Sequence, residues 1–548
     1  MTARQCLLFI SSAMICTVFH TEDAEANSGK YLLVWAGDMG TDDSVQDPDF
    51  LATIDANPQS PTYGKVLRTA ALPCIPGAHL LDELGLMPGV NSCVLNEAHH
   101  MTDELWVDPR DGHRYLFVAG LMSANIFRFD VTDPLHIPTA TLLVTSRDVH
   151  AFAGSDDLHF LPNGHILSTF MGSKGLATPG GLVEFSPFGP LSFLAEYSAA
   201  RPGGPQRYVT SIHGVTDTGL LAHPHGLDLR PDLDLVVTSD YADPLSLALI
   251  SPTNQVADFG TTVRFWKLSN LAAGPQRIVQ VPDGPRVEGN LIHEEPEGLM
   301  QVGLFHHHKG VITASMCGGV LYYAPDATAP NLAFREVWDT GPCTGASVFE
   351  ITKDDHYLVM PIAGVQSPGD PVYGRDYVGE HDRRVAVIDV KKLLDAPGPL
   401  RCGPPTVHNG ADGFTTSFEP YNNHASDCPV QVSQVVVNSE LNYTTHGGPH
   451  MVVFDKDESY LAFDNYFVDL TSFGFTGTGS GGDHKIFIAK FNNRTGMLTL
   501  DNSFRDELTG EVGVAFNRPT TYAWPNARGK AGNAKPHAMI FVETDTSP

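Results

Sequence analysis

The sequence predicts an all-β chain: a seven-bladed β-propeller with long inter-strand loops. Three observations carry this expectation. Gly (52) and Pro (40) are plentiful among 548 residues, whereas long apolar stretches of helical period are scarce. Strand-like runs recur in pairs, and about seven such units can be drawn. Histidines also sit at similar places in successive units, which a pair of β-sandwiches, the other all-β architecture, leaves unexplained.

The units follow in order. Asp49 to Asp55 (DFLATID) alternates, and Asn57 to Pro61 (NPQSP) breaks it. Tyr115 to Asp130 reads as two strands joined near Ser123-Ala124-Asn125. Comparable pairs fall at His165 to Phe185, at Leu233 to Asp240 with Thr261 to Leu268, and at Gly310 to Tyr323. Two more are Tyr357 to Ile362 with Arg384 to Asp389, and Met451 to Asp464 with Lys485 to Lys490. Spacing is irregular, roughly 40 to 80 residues, unlike tight repeat families. The Gly-, Pro- and Asn-rich stretches 401–428 and 471–483 are expected to be surface excursions rather than domain linkers.

Residues 1–26 read as a signal peptide, leaving 27–548 as a single propeller domain. Arg4 supplies a basic start, Cys6 to Phe19 is an apolar run too short to span a bilayer, and Ala24-Glu25-Ala26 is a small-x-small cleavage site. The expected location is therefore secreted or periplasmic, with no membrane span. A net charge of −29 disfavours nucleic acid and anionic lipid as partners. Beyond Cys6 and Cys16, six cysteines remain in an oxidising compartment. Proximity suggests Cys74–Cys93, Cys317–Cys343 and Cys402–Cys428, although connectivity does not follow from sequence. Asn442 and Asn493 head glycosylation sequons.

The chain carries 24 histidines, and most histidines in any protein are structural. Those that stand out open a strand or lie just before one. They are Glu97-Ala98-His99-His100, Asp148-Val149-His150, His223-Pro224-His225, His306-His307-His308, Gly448-Pro449-His450 and Pro536-His537. In extended chain His99 and His100 point to opposite sides, so one ligand with one supporting residue is as good a reading as two ligands. Glu97 shares a face with His99 and could orient an imidazole. His223 and His225 share a face at chelate spacing. The inner strands of propeller blades start near the axis, so residues opening them converge. Several imidazoles around one axis suit copper, iron or zinc; calcium wants more carboxylate. No nucleophile elbow or P-loop occurs. The Gly-rich Gly477 to Asp483 lacks a strand–helix context, and Glu294, Glu295 and Glu297 read as a solvated acidic face.

These blocks carry a resemblance. Asp49 to Asp55 with Asn57-Pro58-Gln59-Ser60-Pro61-Thr62-Tyr63-Gly64-Lys65-Val66 resembles the opening of the selenium-binding protein / methanethiol oxidase family. Glu97 to His100, Asp148 to His150, Gly448 to Met451 and Pro536-His537 resemble further blocks in the same order. The resemblance implies a seven-bladed propeller and a copper-dependent thiol oxidase. Methanethiol, oxygen and water would give formaldehyde, hydrogen sulfide and hydrogen peroxide, so the partners are a small thiol and O2. It matches His99, His100, His150 and His537 to the family's metal-associated histidines, with His99, His100 and Glu97 as catalytic candidates. His225, His308 and His450 form a second tier for metal or substrate. Some members carry a cysteine pair soon after the His-His block; here Met101 to Trp106 has none, which argues against selenium binding. Two other classes stay open: a non-catalytic propeller that binds a metal, selenium or a protein, and an iron-dependent oxidative-cleavage enzyme.

Overall fold

The computed structural model describes residues 29–38, 47–176, 178–189, 192–200, 222–244, 259–282, 298–315, 319–339, 344–364, 384–398, 400–401, 407–409, 416–418, 430–437, 448–466, 482–526 and 532–544. The signal-peptide reading, Cys317, Cys343, Cys402, Cys428, Asn442 and the Glu294–Glu297 cluster lie outside these residues, as does most of the 401–428 and 471–483 stretches.

Seven antiparallel sheets form a ring. Blade one contains β1 (Gly29–Asp38), β2 (Phe50–Asp55) and β3 (Val66–Ala71). Blade two contains β4 (Ala98–Met101), β5 (Trp106–Val107), β6 (Arg114–Gly120), β7 (Asn125–Asp130) and β8 (Thr141–Val144). Blade three is β9 (Phe152–Phe160), β10 (Ile166–Ser173), β11 (Gly181–Phe185) and β12 (Phe193–Ser198). Blade four is β13 (Pro224–Arg230), β14 (Leu235–Asp240), β15 (Thr262–Lys267) and β16 (Arg277–Gln280). Blade five is β17 (Leu299–Leu304), β18 (Val311–Ser315), β19 (Val320–Ala324) and β20 (Arg335–Asp339).

Blade six starts with β21 (Thr344–Ala346), β22 (Glu350–Ile351), β23 (Tyr357–Gly364) and β24 (Arg384–Asp389). The chain then leaves it. β25 (Leu400–Arg401) pairs parallel to β20, and β26 (Val407–Asn409) with β27 (Thr416–Phe418) makes a separate hairpin, before β28 (Gln431–Val436) returns to β24. Blade seven is β29 (Val452–Phe454), β30 (Tyr460–Asp464), β31 (Lys485–Asn492), β32 (Met497–Leu500) and β33 (Val514–Ala515). The last strand, β34 (Ala534–Thr544), pairs antiparallel with β1 and so closes the ring inside blade one.

The predicted strand pairs fall on these blades, for the reason the alternation gave: each strand offers two faces to two neighbouring blades. Phe117 and Ile126 of blade two pack with Leu158, Phe170 and Val183 of blade three. Phe305, Ile312 and Leu321 of blade five pack with Leu358, Met360 and Ile388 of blade six. Middle strands are therefore buried on both faces, and β2 is buried at every residue. At roughly 1.5–3 kcal/mol per large apolar side chain, these inter-blade layers supply the main driving force.

Around the axis the inner strands pack in sequence. β34 lies against β4, β4 against β9, β9 against β13 and β13 against β17; β22 lies against β29, and β29 against β34. Because β34 is an inner strand, the end of the chain reaches the same central layer as residues near 100. Among the described residues, no helix is long and apolar enough to cross a membrane. Of the suggested disulfides, Cys74–Cys93 is formed.

Candidate metal centre

The central layer is built strand by strand. β4 supplies His99 and His100, β9 supplies Asp156, β13 supplies His225, and β34 supplies His537; His450 immediately precedes Met451 and β29. All six are buried. One donor atom each from His99, His100, Asp156 and His225 lie within 4.8 Å of one another, as do donor atoms from His100, His450 and His537. His100 joins the two groups into one centre.

Asp156 is the hub of the first group. Its Oδ1 lies 3.3 Å from His99 Nε2 and 3.4 Å from His100 Nε2, and its Oδ2 lies 3.4 Å from His225 Nε2. In the second group the ring centroids of His450 and His537 are 4.8 Å apart, nearly perpendicular.

Backbone irregularities place these side chains. Consecutive histidines would diverge on a regular strand. Here Glu97 has φ +48° and the β4–β6 register shifts between Ala98 and Met101, so both rings reach the same centre. Asp49 holds the entry to β4, accepting the Asn96 backbone N–H at 3.0 Å and its side-chain amide at 2.7 Å. On β13 the register shifts between Pro224 and Leu227, which separates His223 from His225. His223 Nδ1 bonds the Met171 carbonyl oxygen at 2.9 Å, and only His225 joins the group around Asp156. Gly226 permits this crowding, because a Cβ there would sit 2.5 Å from Gln301 Oε1 of the next inner strand.

Surrounding polar groups orient the imidazoles. The Ser347 hydroxyl is hydrogen-bonded to His450 Nδ1, which with Nδ1–H donated leaves the Nε2 lone pair toward the centre. Asp464 accepts the backbone N–H groups of His450 and Met451 at 2.9 and 2.8 Å. Asp157 Oδ1 lies 3.4 Å from His100 Nδ1 and 3.6 Å from His159 Nε2. The Tyr466 hydroxyl donates to Glu97 at 2.6 Å, its ring lies against His537, and Lys535 pairs with Glu97 at 3.5 Å. Glu97 is thus linked to the centre through Tyr466.

The electrostatics favour uncharged imidazoles. Burial, reinforced by neighbouring histidines, holds His99, His450 and His537 well below the ordinary histidine range. Burial takes His225 down to about 4. Burial also works against a charged His100, but Asp156 and Asp157 outweigh it and raise that ring. The donor set fits a metal ion. Neither ring nitrogen of His99 or His537, nor either oxygen of Asp156, completes a hydrogen bond. Such buried orphans cost about 1–3 kcal/mol each unless something satisfies them. Imidazoles with one carboxylate suit copper, iron or zinc.

Two expected residues lie elsewhere. His150 is exposed: its backbone N–H goes to Glu196 and its ring lies against Phe193, both on β12, the outermost strand of blade three. Its assignment as a ligand is corrected, and Asp156, six positions on, holds the axial place. His308 is exposed on a turn, stacked on Phe305 with ring centroids 4.2 Å apart. Asn493 is exposed in the turn between β31 and β32.

The comparisons agree with the fold and the resemblance. Residues 19–190 match the family model for the 56kDa selenium binding protein (SBP56), a span that includes His99, His100 and Asp156. A methanethiol oxidase of Hyphomicrobium sp is 24% identical over 263 residues, covering 47% of this chain and 49% of that protein. One from Danio rerio is 32% identical over 143 residues, covering 25% and 28%. Selenium-binding protein 2 of Arabidopsis thaliana is 32% identical over 131 residues, covering 23% and 24%. The chain thus spans about half the length, or less, of the curated relatives it matches. A hypothetical selenium-binding protein from Sulfolobus tokodaii has a similar fold, with TM-score 0.60 at 14% identity over 94% of each chain.

Proposed function

We propose that this protein is an exported, metal-dependent oxidase of a small thiol, with copper as the metal and methanethiol, O2 and water converted to formaldehyde, hydrogen sulfide and hydrogen peroxide. The observation that carries the reading is the set of buried nitrogens on His99 and His537, beside both oxygens of Asp156, that complete no hydrogen bond. Relatives named methanethiol oxidase support the reaction class. The Cys74–Cys93 disulfide supports an oxidising compartment.

His99, His100, His225, His450, His537 and Asp156 would hold the ion. Bound copper supplies the electron transfer and lowers the pKa of a coordinated thiol. The chain's own residues do the rest. An axial cavity of ≈ 170 Å³ is lined by His100 and by the apolar Met101, Leu227, Met451 and Met539, which would pack against a bound thiol and limit its contact with bulk water. Asp157 holds the Nδ1 side of His100, leaving Nε2 toward the centre.

The test is metal analysis of the purified protein together with oxygen uptake on methanethiol. Stoichiometric copper, with uptake and peroxide lost in His99→Ala and His537→Ala, is the expected result. Full metal content without uptake would select the second reading, a binding protein, which the relative named selenium-binding protein supports. No stoichiometric metal would remove the proposal.

A further inference from the structure

The axial cavity has two unlike ends. At the inner end stands His100, only 2% exposed, whose Nε2 completes no hydrogen bond; the methionines flank it. At the outer end carboxylates come from successive blades. Asp103, its side chain 53% exposed, follows β4, Asp228 lies on β13 and Glu350 on β22. Each stands three residues after an inner residue of its own blade: Asp103 after His100, Asp228 after His225, Glu350 after Ser347. They therefore form a second layer, one step out from the imidazoles.

No lysine or arginine is among the described residues lining the cavity; besides His100 its imidazoles are His306 and, in this layer, His159. It lies between Asp103 (3.5 Å) and Asp157 (3.6 Å), so two carboxylates already offset its charge. The other acidic groups of the layer are Asp228 and Glu350. Burial, more than the nearby charges of Asp103 and Asp228, pushes the Glu350 carboxyl up to about 8, and burial takes Asp228 to about 6, so the layer's negative charge is carried by Asp103, Asp157 and Asp228. Fields inside a low-dielectric channel are focused, so the lining sets which charges can pass.

We propose that this acidic layer is a charge filter on the cavity that reaches the imidazole cluster at His100, admitting small neutral or cationic molecules and holding back carboxylate-bearing ones. Its substrate consequence rests on the function proposed above: the thiol would carry no carboxylate, so cysteine- or mercaptoacetate-like thiols would be poor substrates at equal size. The filter itself belongs to the cavity and is testable without metal or turnover.

Iodoacetamide and iodoacetate are nearly equal in size, differ in charge, and both alkylate thioethers. Met101, Met451 and Met539 line the cavity, and Met497, 51% exposed, serves as an internal reference. The full-length metal-free protein is treated with each reagent, and adducts are read by peptide mass spectrometry. The preference for iodoacetamide over iodoacetate at the cavity methionines, divided by that at Met497, should be about tenfold or more. In Asp103→Asn/Asp228→Asn it should fall to near unity. A ratio near unity in the unaltered protein, a ratio unchanged in the double variant, or no cavity modification by either reagent each overturns the filter. These outcomes are independent of whether copper binds or methanethiol is consumed.

Discussion

The imidazoles of His99 and His537 lie with ring centroids 4.3 Å apart, although one sits on β4 and the other on the last strand of the chain. Ring closure by β34 is the cause, because it delivers His537 to the inner position of blade one beside blade two. If the two rings share an ion, His99→Ala and His537→Ala should each reduce bound metal to below about a tenth of the unaltered protein. His150→Ala, at the outer edge of blade three, should keep full metal content. Elemental analysis of the three variants, with circular dichroism as a check on folding, decides this.

The pattern of histidines in strand-opening positions made most of this centre legible in sequence. His99, His100, His225, His450 and His537, the second-tier pair included, come together because those inner strands begin close to the axis. The pattern failed at His150, because the chain enters β9 from the outer edge of its own blade, and a strand's first residues need not be its axial ones. Asp156 was overlooked for a different reason. Phe152 to Phe160 reads as an ordinary buried strand, and period-2 alternation says nothing about which strand of a blade is innermost. The signal available was the paired Asp156-Asp157 inside an otherwise buried run, where an acid demands a partner. The joint presence of His99 and His100 depended on a bulge that no sequence period predicts.

The Cys74–Cys93 bridge closes a loop with a sequence separation of 19 just ahead of Asn96 and the His-His pair. Cross-linking a loop of this length removes denatured-state freedom worth about 3 kcal/mol. Cys74→Ser/Cys93→Ser should lower the unfolding free energy by about that amount in urea titrations. The same variant should show faster amide exchange at Asp49, whose N–H bonds the Cys93 carbonyl at 2.7 Å.

His79 gives a pH dependence of known sign. It caps the short helix Leu80–Glu83: its Nδ1 accepts the Leu81 N–H, and its Nε2 faces the Leu95 carbonyl oxygen. Burial lowers its pKa to about 4, against about 6.5 in the unfolded chain. The unfolded state then binds more protons between those values, so stability from this group is complete above pH 6.5 and is lost as pH falls toward 4. Up to about 3 kcal/mol is involved. His79→Asn retains an N-cap acceptor but cannot titrate. Its unfolding free energy should fall less between pH 7 and pH 4.5 than that of the unaltered protein. Parallel slopes would show that His79 is not buried as a neutral ring.

Asp464 raises the question of whether a buried carboxylate near the centre is needed for its charge or for its shape. Its Oδ1 accepts from His450 N–H and Met451 N–H, which fixes the chain where blade seven meets the axis. Burial pushes its pKa well above the ordinary carboxylate range, so the buried environment favours the neutral carboxyl. A neutral group of the same shape should then serve as well. Asp464→Asn keeps an oxygen acceptor for both N–H groups and should stay within about 1 kcal/mol of the unaltered protein with metal content unchanged. Asp464→Ala strands two buried donors and should cost about 2–4 kcal/mol, at 1–3 kcal/mol for each unsatisfied group with partial relaxation. Because His450 is set by those same bonds, the alanine variant should also lose metal affinity, measured by competition with a chelator. An asparagine variant as damaged as the alanine one would mean that the negative charge, not the acceptor geometry, holds His450 in place.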